Sequence, residues 1–191
     1  MTNIEVHENV LSEEHWKHLY DFVSNEWFSW TYQLGTSHND ETGKYDREGD
    51  TPQLVRNLFH REAISNKTKF PAGFNQSMQM HEYFEVLPQI TMIPQKILPN
   101  SNPWRIKVNL LQPHPAAGEH HPWHIDSTNS YTSMIYYIND SDGDTFLNKI
   151  ETQRITPKAN TAVIFPSNLW HASSNPTKGR RMVLNYMVEM T

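Results

Sequence analysis

The sequence predicts a mainly β protein in which N-terminal helices pack on a C-terminal jelly roll. Three observations point there. Helical spacing is confined to the first half of the chain. From Trp104 onward, short runs rich in Val, Ile, Tyr, Phe and Thr recur, separated by Pro, Gly, Asn and Asp. The 191 residues suit one domain with a buried core.

The elements follow in order. Ser12 before Glu13 and Glu14 marks a helix start, because acidic residues favour the positive end of the helix dipole. Trp16, Leu19, Tyr20 and Val23 then recur at helical spacing, which predicts a helix over 12–25. Trp27–Leu34 alternates aromatic and polar residues as a strand does. Residues 35–53 form a long polar loop, either a lid or a simple insertion, and a strand precedes His60. Met78–Leu87 reads as a helix that Pro88 and Pro94 interrupt or restart. The predicted strands after it are Trp104–Leu111, Ser130–Ile138, Asp144–Leu147, Thr161–Phe165 and Met182–Val188. Strands this short and this spaced suit a sandwich or barrel.

Composition excludes several classes of function. No cysteine is present, so disulfides, thiolate catalysis and cysteine zinc sites are ruled out. The net charge of −5 comes without a basic stripe, so nucleic acid is not expected as partner, and the longest apolar runs are strand-sized, so neither is a membrane. The start of the chain lacks the basic and apolar stretches of a signal peptide, and a cytoplasmic location is the default expectation. Eleven histidines without cysteine direct attention to imidazole and carboxylate ligands.

The segment His120-His121-Pro122-Trp123-His124-Ile125-Asp126 carries the chemistry. Alternate side chains of an extended chain share a face, so His124 and Asp126 can reach one metal ion while Ile125 turns away. A third ligand from a distant strand would leave the opposite face open, which is the two-histidine, one-carboxylate arrangement of non-haem iron. The pair alone is weak, since His38-Asn39-Asp40 and His60-Arg61-Glu62 repeat it. Only the first-named pair is followed by a buried-type strand, Thr161–Phe165, then Trp170-His171, then Gly179-Arg180-Arg181. A histidine ending one strand and an arginine opening the next suit a metal with a dicarboxylate, which the arginine pairs through two prongs. His114, His120 and His121 read as surface or pocket-rim residues on a Pro-rich loop. Trp123 and Trp170 read as core. Asn109 and Gln112 line a pocket or face solvent.

Over residues 104–190 this pattern resembles the 2-oxoglutarate- and Fe(II)-dependent oxygenases, nearest the prolyl 4-hydroxylase-like branch. The motifs that carry the resemblance are His124-Ile125-Asp126, Ile135-Tyr136-Tyr137-Ile138-Asn139, His171 and the Arg180-Arg181 pair. It implies a double-stranded β-helix, a cupin-like jelly roll, within a single domain of 1–191, with 1–103 as helical support and lid and 104–191 as catalytic core. It implies His124, Asp126 and His171 as catalytic iron ligands, Arg181 as the anchor of 2-oxoglutarate and Tyr137 as a hydrogen-bonding partner of it. Strand parity favours Arg181 over Arg180, because Arg181 shares a face with Val183 and Asn185, the small polar residue expected beside the co-substrate. The cofactors implied are Fe(II) and the co-substrate 2-oxoglutarate, with ascorbate as an accessory. The activity implied is hydroxylation of a substrate by O2 with release of succinate and CO2, nearest a peptidyl proline in a peptide or protein, and Trp123, Tyr131 and Tyr136 are candidates to pack on its ring. Asp142-Gly143-Asp144-Thr145 departs from the Gly-Gly pair that the family often has there. The rival readings are a non-catalytic cupin-like metal-binding module and an oxygenase of the same fold acting on a small molecule or nucleobase. A halogenase is disfavoured by Asp126, and a zinc hydrolase leaves Arg181 unexplained.

Overall fold

The computed structural model describes residues 4–37, 48–61 and 84–191. Most of the expected Met78–Leu87 helix and the middle of the polar loop lie outside the described residues. So do His38, Asn39, Asp40 and Glu62 of the two rival pairs.

In chain order the elements are β1 (Glu5–Glu8), α1 (Glu13–Ser24), β2 (Thr31–Gln33), β3 (Gln53–His60), a 3-10 turn (Phe84–Val86) and α2 (Leu87–Ile97). There follow β4 (Ser101–Leu111), β5 (Thr132–Tyr137), β6 (Thr145–Leu147), β7 (Gln153–Ile155), β8 (Thr161–Pro166), β9 (His171–Ser173) and β10 (Arg181–Met190). Seven strands form one antiparallel sheet in the order β1-β8-β5-β10-β4-β3-β2, and three form a second in the order β7-β6-β9.

The first helix starts where the sequence places it. The Ser12 side chain accepts a hydrogen bond from the His15 amide, and Leu19 and Val23 face the core. Trp16 fixes the helix to the sheet by donating its indole N–H to the Ile138 carbonyl at 2.7 Å. The second helix begins at Leu87, where the sequence reading has a helix ending. Pro88 lies in its first turn, where an amide N–H would have no partner to lose. Pro94 lies inside it and cannot bond the Ile90 carbonyl. The Tyr186 hydroxyl donates to that carbonyl instead, at 2.9 Å, so the proline leaves no orphan acceptor.

The N-terminal part does more than support: β1, β2 and β3 join the large sheet. Glu5–Glu8 carries no buried face that a periodicity could reveal, since three of its four residues are exposed. Of the expected Trp27–Leu34 strand only Thr31–Gln33 pairs. No helix among the described residues is long and apolar enough to cross a membrane.

Strand parity divides the interior in two. Met134 and Tyr136, Ala162 and Ile164, and Met182, Leu184, Tyr186 and Val188 pack with the helices. Ile135 and Tyr137, Val163 and Phe165, and Val183 face the other way, toward the small sheet. The functional groups described below lie on this second side.

Asn160 ties the N-terminal segment to the sheet. It adopts a left-handed φ of 59°. Its Oδ1 accepts from the Leu11 amide at 2.8 Å and from the Tyr136 hydroxyl at 2.8 Å, while its Nδ2 donates to the Leu11 carbonyl at 2.9 Å. Asn160→Ala strands three buried polar groups and forces alanine into the left-handed region. It is expected to lower stability by about 2–4 kcal/mol in urea unfolding.

Candidate metal and dicarboxylate site

His124 lies in the long connection between β4 and β5, and His171 opens β9. The two form an isolated antiparallel bridge. His124 N donates to the His171 carbonyl at 3.0 Å, and His171 N donates to the His124 carbonyl at 2.9 Å. Residues so opposed carry their side chains to the same side, and the ring centroids stand 4.2 Å apart. Two residues on, the Asp126 amide donates to the Ser167 carbonyl at 2.9 Å, which brings Asp126 to the same side as His124.

The tautomers follow from the partners. His171 Nδ1 lies 2.9 Å from the Leu169 carbonyl and His124 Nδ1 lies 3.3 Å from the Pro122 carbonyl. A carbonyl only accepts, so each Nδ1 carries a proton, and Nε2 is the nitrogen each neutral ring offers to the site. Asp126 accepts from Arg105 Nη2 at 2.7 Å on one oxygen and from Ser133 Oγ at 2.7 Å on the other. The second oxygen stands 3.7 Å from His171 Nε2. The donor atoms of His124, Asp126 and His171 all lie within 4.8 Å of one another.

Charge prepares these groups as ligands. Burial, aided by His171, pushes the His124 imidazole down to about 3, so it is neutral at neutral pH. Burial raises the Asp126 carboxyl, but Arg105 with His171, His124 and Lys107 outweighs it and holds the group well below the usual carboxylate range. Two imidazole nitrogens and one carboxylate, without a thiolate, fit a divalent ion such as Fe(II).

The triad opens on a pocket of about 480 Å³, counted to its mouth. Arg181 lies at its wall, 4% exposed. Its Nε donates to the Gly143 carbonyl at 2.9 Å and its Nη2 to Thr145 Oγ1 at 2.8 Å. Burial lowers its pKa, and Tyr137 and Asp144 act the other way. Among the described residues no carboxylate reaches Arg181 at salt-bridge distance. A buried guanidinium without a counter-anion suits the far carboxylate of a dicarboxylate. Arg181, Val183 and Asn185 all line this pocket, as parity requires, whereas Arg180 lies in a separate surface depression beside Asn139.

Tyr137 is fully buried, and its hydroxyl donates to Thr145 Oγ1 at 2.8 Å. Thr145 itself lines the pocket and accepts from both Tyr137 and Arg181. Its own hydroxyl hydrogen is therefore free to turn elsewhere. Asn185 lines the pocket, and its Oδ1 accepts from Arg105 at 3.2 Å.

Several residues stand where the sequence does not put them. His121, read as surface or rim, is 2% exposed. Its ring meets Ser173 Oγ at 3.0 Å, Thr51 Oγ1 at 2.9 Å and Asn175 Oδ1 at 2.8 Å, which fixes the loop that carries the triad. Trp170, read as core, is 43% exposed. Tyr136 packs on the helix side of the sheet and cannot reach a substrate at the triad. Asn109 lines the pocket, while Gln112 is exposed at a neighbouring groove. Lys107, Arg105 and Ser133 are site residues that the sequence reading does not name, and Gly143 and Thr145 enter it only as part of a turn. Lys107 and Arg105 share a face of β4 with Asn109, and that alternation was the available signal. Burial brings the Lys107 ammonium down to about 8, with Arg105 adding to the effect and Asp126 opposing it.

Residues 109–189 match the 2OG-Fe(II) oxygenase superfamily. The matched segment contains the triad, Tyr137 and Arg181. Comparison with characterised proteins by sequence alone finds no match. Solved structures share the fold, a double-stranded β-helix. A prolyl-4-hydroxylase from Pseudomonas putida aligns with TM-score 0.55 and 13% identity, over 100% of this chain and 94% of its own. A prolyl hydroxylase from Trichoplax adhaerens, in complex with a peptide fragment of hypoxia inducible factor, aligns with TM-score 0.58 and 13% identity, over 96% and 82%. The epimerase SnoN of nogalamycin biosynthesis aligns with TM-score 0.59 and 11% identity, over 99% and 78%.

Gly143 answers the departure at Asp142-Gly143. A Cβ there would stand 2.7 Å from the Ser174 carbonyl oxygen, 2.8 Å from Pro176 N and 3.1 Å from Arg181 Cδ. Two of these atoms are backbone and cannot turn aside. Gly143→Ala is expected to displace Arg181 and weaken 2-oxoglutarate binding by about tenfold or more, about 1.4 kcal/mol, in a calorimetric titration.

The pH dependence of stability has a definite sign. His124 binds fewer protons folded than unfolded between pH 3 and its ordinary value of about 6.5. Metal-free protein should therefore lose stability as the pH falls from 7 to 4, by up to about 1.4 kcal/mol per pH unit from this group. Burial of His121 acts in the same direction, and Asp126 adds only below about pH 4. Chemical denaturation across this range should show a shallower slope for His124→Gln than for wild type.

Proposed function

We propose that this protein is a 2-oxoglutarate- and Fe(II)-dependent dioxygenase that hydroxylates its substrate and releases succinate and CO2. The observation that carries the reading is the convergence of three nitrogen and oxygen donors within 4.8 Å on a pocket whose wall holds a buried Arg181 that meets no carboxylate among the described residues. A relic binding module has no reason to keep a buried guanidinium facing that pocket.

Each side chain then has a task. His124, His171 and Asp126 hold the metal, the imidazoles through Nε2. Arg105 and Ser133 orient Asp126, which leaves one of its oxygens toward the histidines. Arg181 and Thr145 take the far carboxylate of the co-substrate, and Tyr137 holds Thr145 in place. The apolar floor of Ile135, Val163, Phe165 and Val183 limits the access of water. Bound iron and 2-oxoglutarate supply the activation of O2 and the oxidation of a substrate C–H bond. Ascorbate serves in the assay to keep the ion ferrous.

The finer reading is that the substrate is a prolyl unit, in the sense of a peptidyl proline. It is supported by the fold shared with prolyl hydroxylases and by an aromatic pair beside the loop that carries Asp126. There Tyr131 stacks on Trp104 at 5.1 Å, and its carbonyl accepts from the Ser167 amide.

His124→Ala, Asp126→Ala and His171→Ala are each expected to abolish succinate formation and to lose Fe(II) while circular dichroism remains near wild type. Full activity in His171→Ala would remove the assignment. Arg181→Ala is expected to weaken 2-oxoglutarate binding by about 2–5 kcal/mol, as truncating one side of a buried charged pair does. Arg180→Ala should cost far less, and the reverse ranking would contradict the placement of Arg181.

A further inference from the structure

Two polar groups of the pocket have no task in the function proposed above. Lys107 and Asn109 flank Val108 on β4 and so point to one side, toward the pocket they line. Among the described residues, the half-buried Lys107 ammonium has no hydrogen bond and no carboxylate at salt-bridge distance. Asn109 is 8% exposed, and its Oδ1 is buried without a hydrogen-bond partner among the described residues.

A chain of amides fixes which way Asn109 turns. The Gly35 carbonyl can only accept, so Gln53 donates its Nε2 to it at 2.9 Å. Gln53 Oε1 is then left to accept from Asn109 Nδ2 at 2.8 Å. Asn109 must therefore present its oxygen as the free end. The strand thus offers a cation and, two residues on, an acceptor that needs a donor.

The charge of the site points the same way. A ferrous ion and a doubly charged co-substrate cancel each other. Arg105, Lys107 and Arg181 then stand against the carboxylate of Asp126, while Asp144 behind Arg181 is paired with Arg154. A pocket left with surplus positive charge favours an anion. Arg181 and Lys107 also serve different places. Their strand positions are linked by the pairs Arg181↔Leu111 and Asn185↔Lys107, four residues apart or about 13 Å along the strand. A five-carbon diacid spans only about 5–6 Å between its carboxyl carbons at ordinary bond lengths. The charge of Lys107 acts on His124 and Asp126, whereas that of Arg181 meets Tyr137 and Asp144.

Resting on the oxygenase reading, we infer that the substrate presents a carboxylate to Lys107 and an N–H or O–H donor to Asn109 Oδ1. An unmodified prolyl peptide bond offers no anion. The carboxylate comes either from a free amino or imino acid or from an acidic residue beside the prolyl unit, and both carry the donor as well.

The test is calorimetric titration of protein loaded with Fe(II) and 2-oxoglutarate under nitrogen. The probes are the free amino acids including L-proline, their carboxamides, and prolyl tripeptides with and without a neighbouring aspartate. At least one acid should bind about tenfold or more tighter than its neutral counterpart. Binding of a free acid identifies the first source, and binding only of the aspartyl peptide identifies the second. Lys107→Met should abolish the preference for acid over neutral counterpart while 2-oxoglutarate affinity stays within about twofold. The inference is overturned if no acid binds in preference to its neutral partner. It is also overturned if the variant keeps the preference or weakens both partners alike. A variant that loses 2-oxoglutarate affinity instead would make Lys107 part of the co-substrate site and overturn it too. Failure of wild-type protein to bind 2-oxoglutarate would sink the oxygenase reading, a separate result.

Discussion

Two backbone hydrogen bonds between His124 and His171 set the geometry on which the pocket depends. They belong to a longer antiparallel seam. His121 N donates to the Ser173 carbonyl at 2.7 Å, and Asp126 N and Ser127 N donate to the Ser167 carbonyl at 2.9 and 3.2 Å. The loop from β4 to β5 thus runs beside β9 as an irregular further strand of the small sheet. This matters because a loop ligand is only as well placed as its backbone. The buried ring of His121 adds side-chain bonds to Thr51, Ser173 and Asn175 at one end of the seam. Three donor groups can then converge, and burial of the site, aided by His171, lowers the imidazole pKa of His124.

The opposite wall comes from the large sheet, and its logic is parity. β10 contributes Arg181, Val183 and Asn185 to the pocket and sends Met182, Leu184 and Tyr186 to the helices. β4 contributes Lys107 and Asn109 in the same way, with Val108 and Leu110 behind. A one-residue slip would put Met182 in the place of Arg181 on β10, or Val108 in the place of Lys107 on β4. The helix-side core therefore does more than stabilise: by claiming alternate residues, it obliges the charged ones to face the site.

Much of this was legible in the chain. His124-Ile125-Asp126 could be read because period-two alternation holds wherever backbone is extended, even outside a regular strand. Arg181 over Arg180 could be read because Val183 and Asn185 share its parity. Other features could not be read, for physical reasons. β1 exposes both of its faces for most of its length, so no pattern betrays it. The start of α2 is obscured because Pro88 and Pro94 look like breakers, and only the Tyr186 hydroxyl shows how a carbonyl freed by Pro94 is satisfied. His121 sits in a loop crowded with Pro and polar residues, which suggests surface. Its burial depends on Thr51 and Asn175, residues 70 and 54 positions away. The alternation of Arg105, Lys107 and Asn109 was present in the sequence. Its meaning appears only once β4 is seen beside β10.

The most direct test of the proposed metal centre is anomalous diffraction at the iron edge from crystals grown with Fe(II) and 2-oxoglutarate under nitrogen. The geometry predicts one iron per chain, bonded to His124 Nε2, His171 Nε2 and one Asp126 oxygen, with a co-substrate carboxylate on Arg181. Iron bound at His60 or His121, or bonded to fewer than all three residues of the triad, would contradict it.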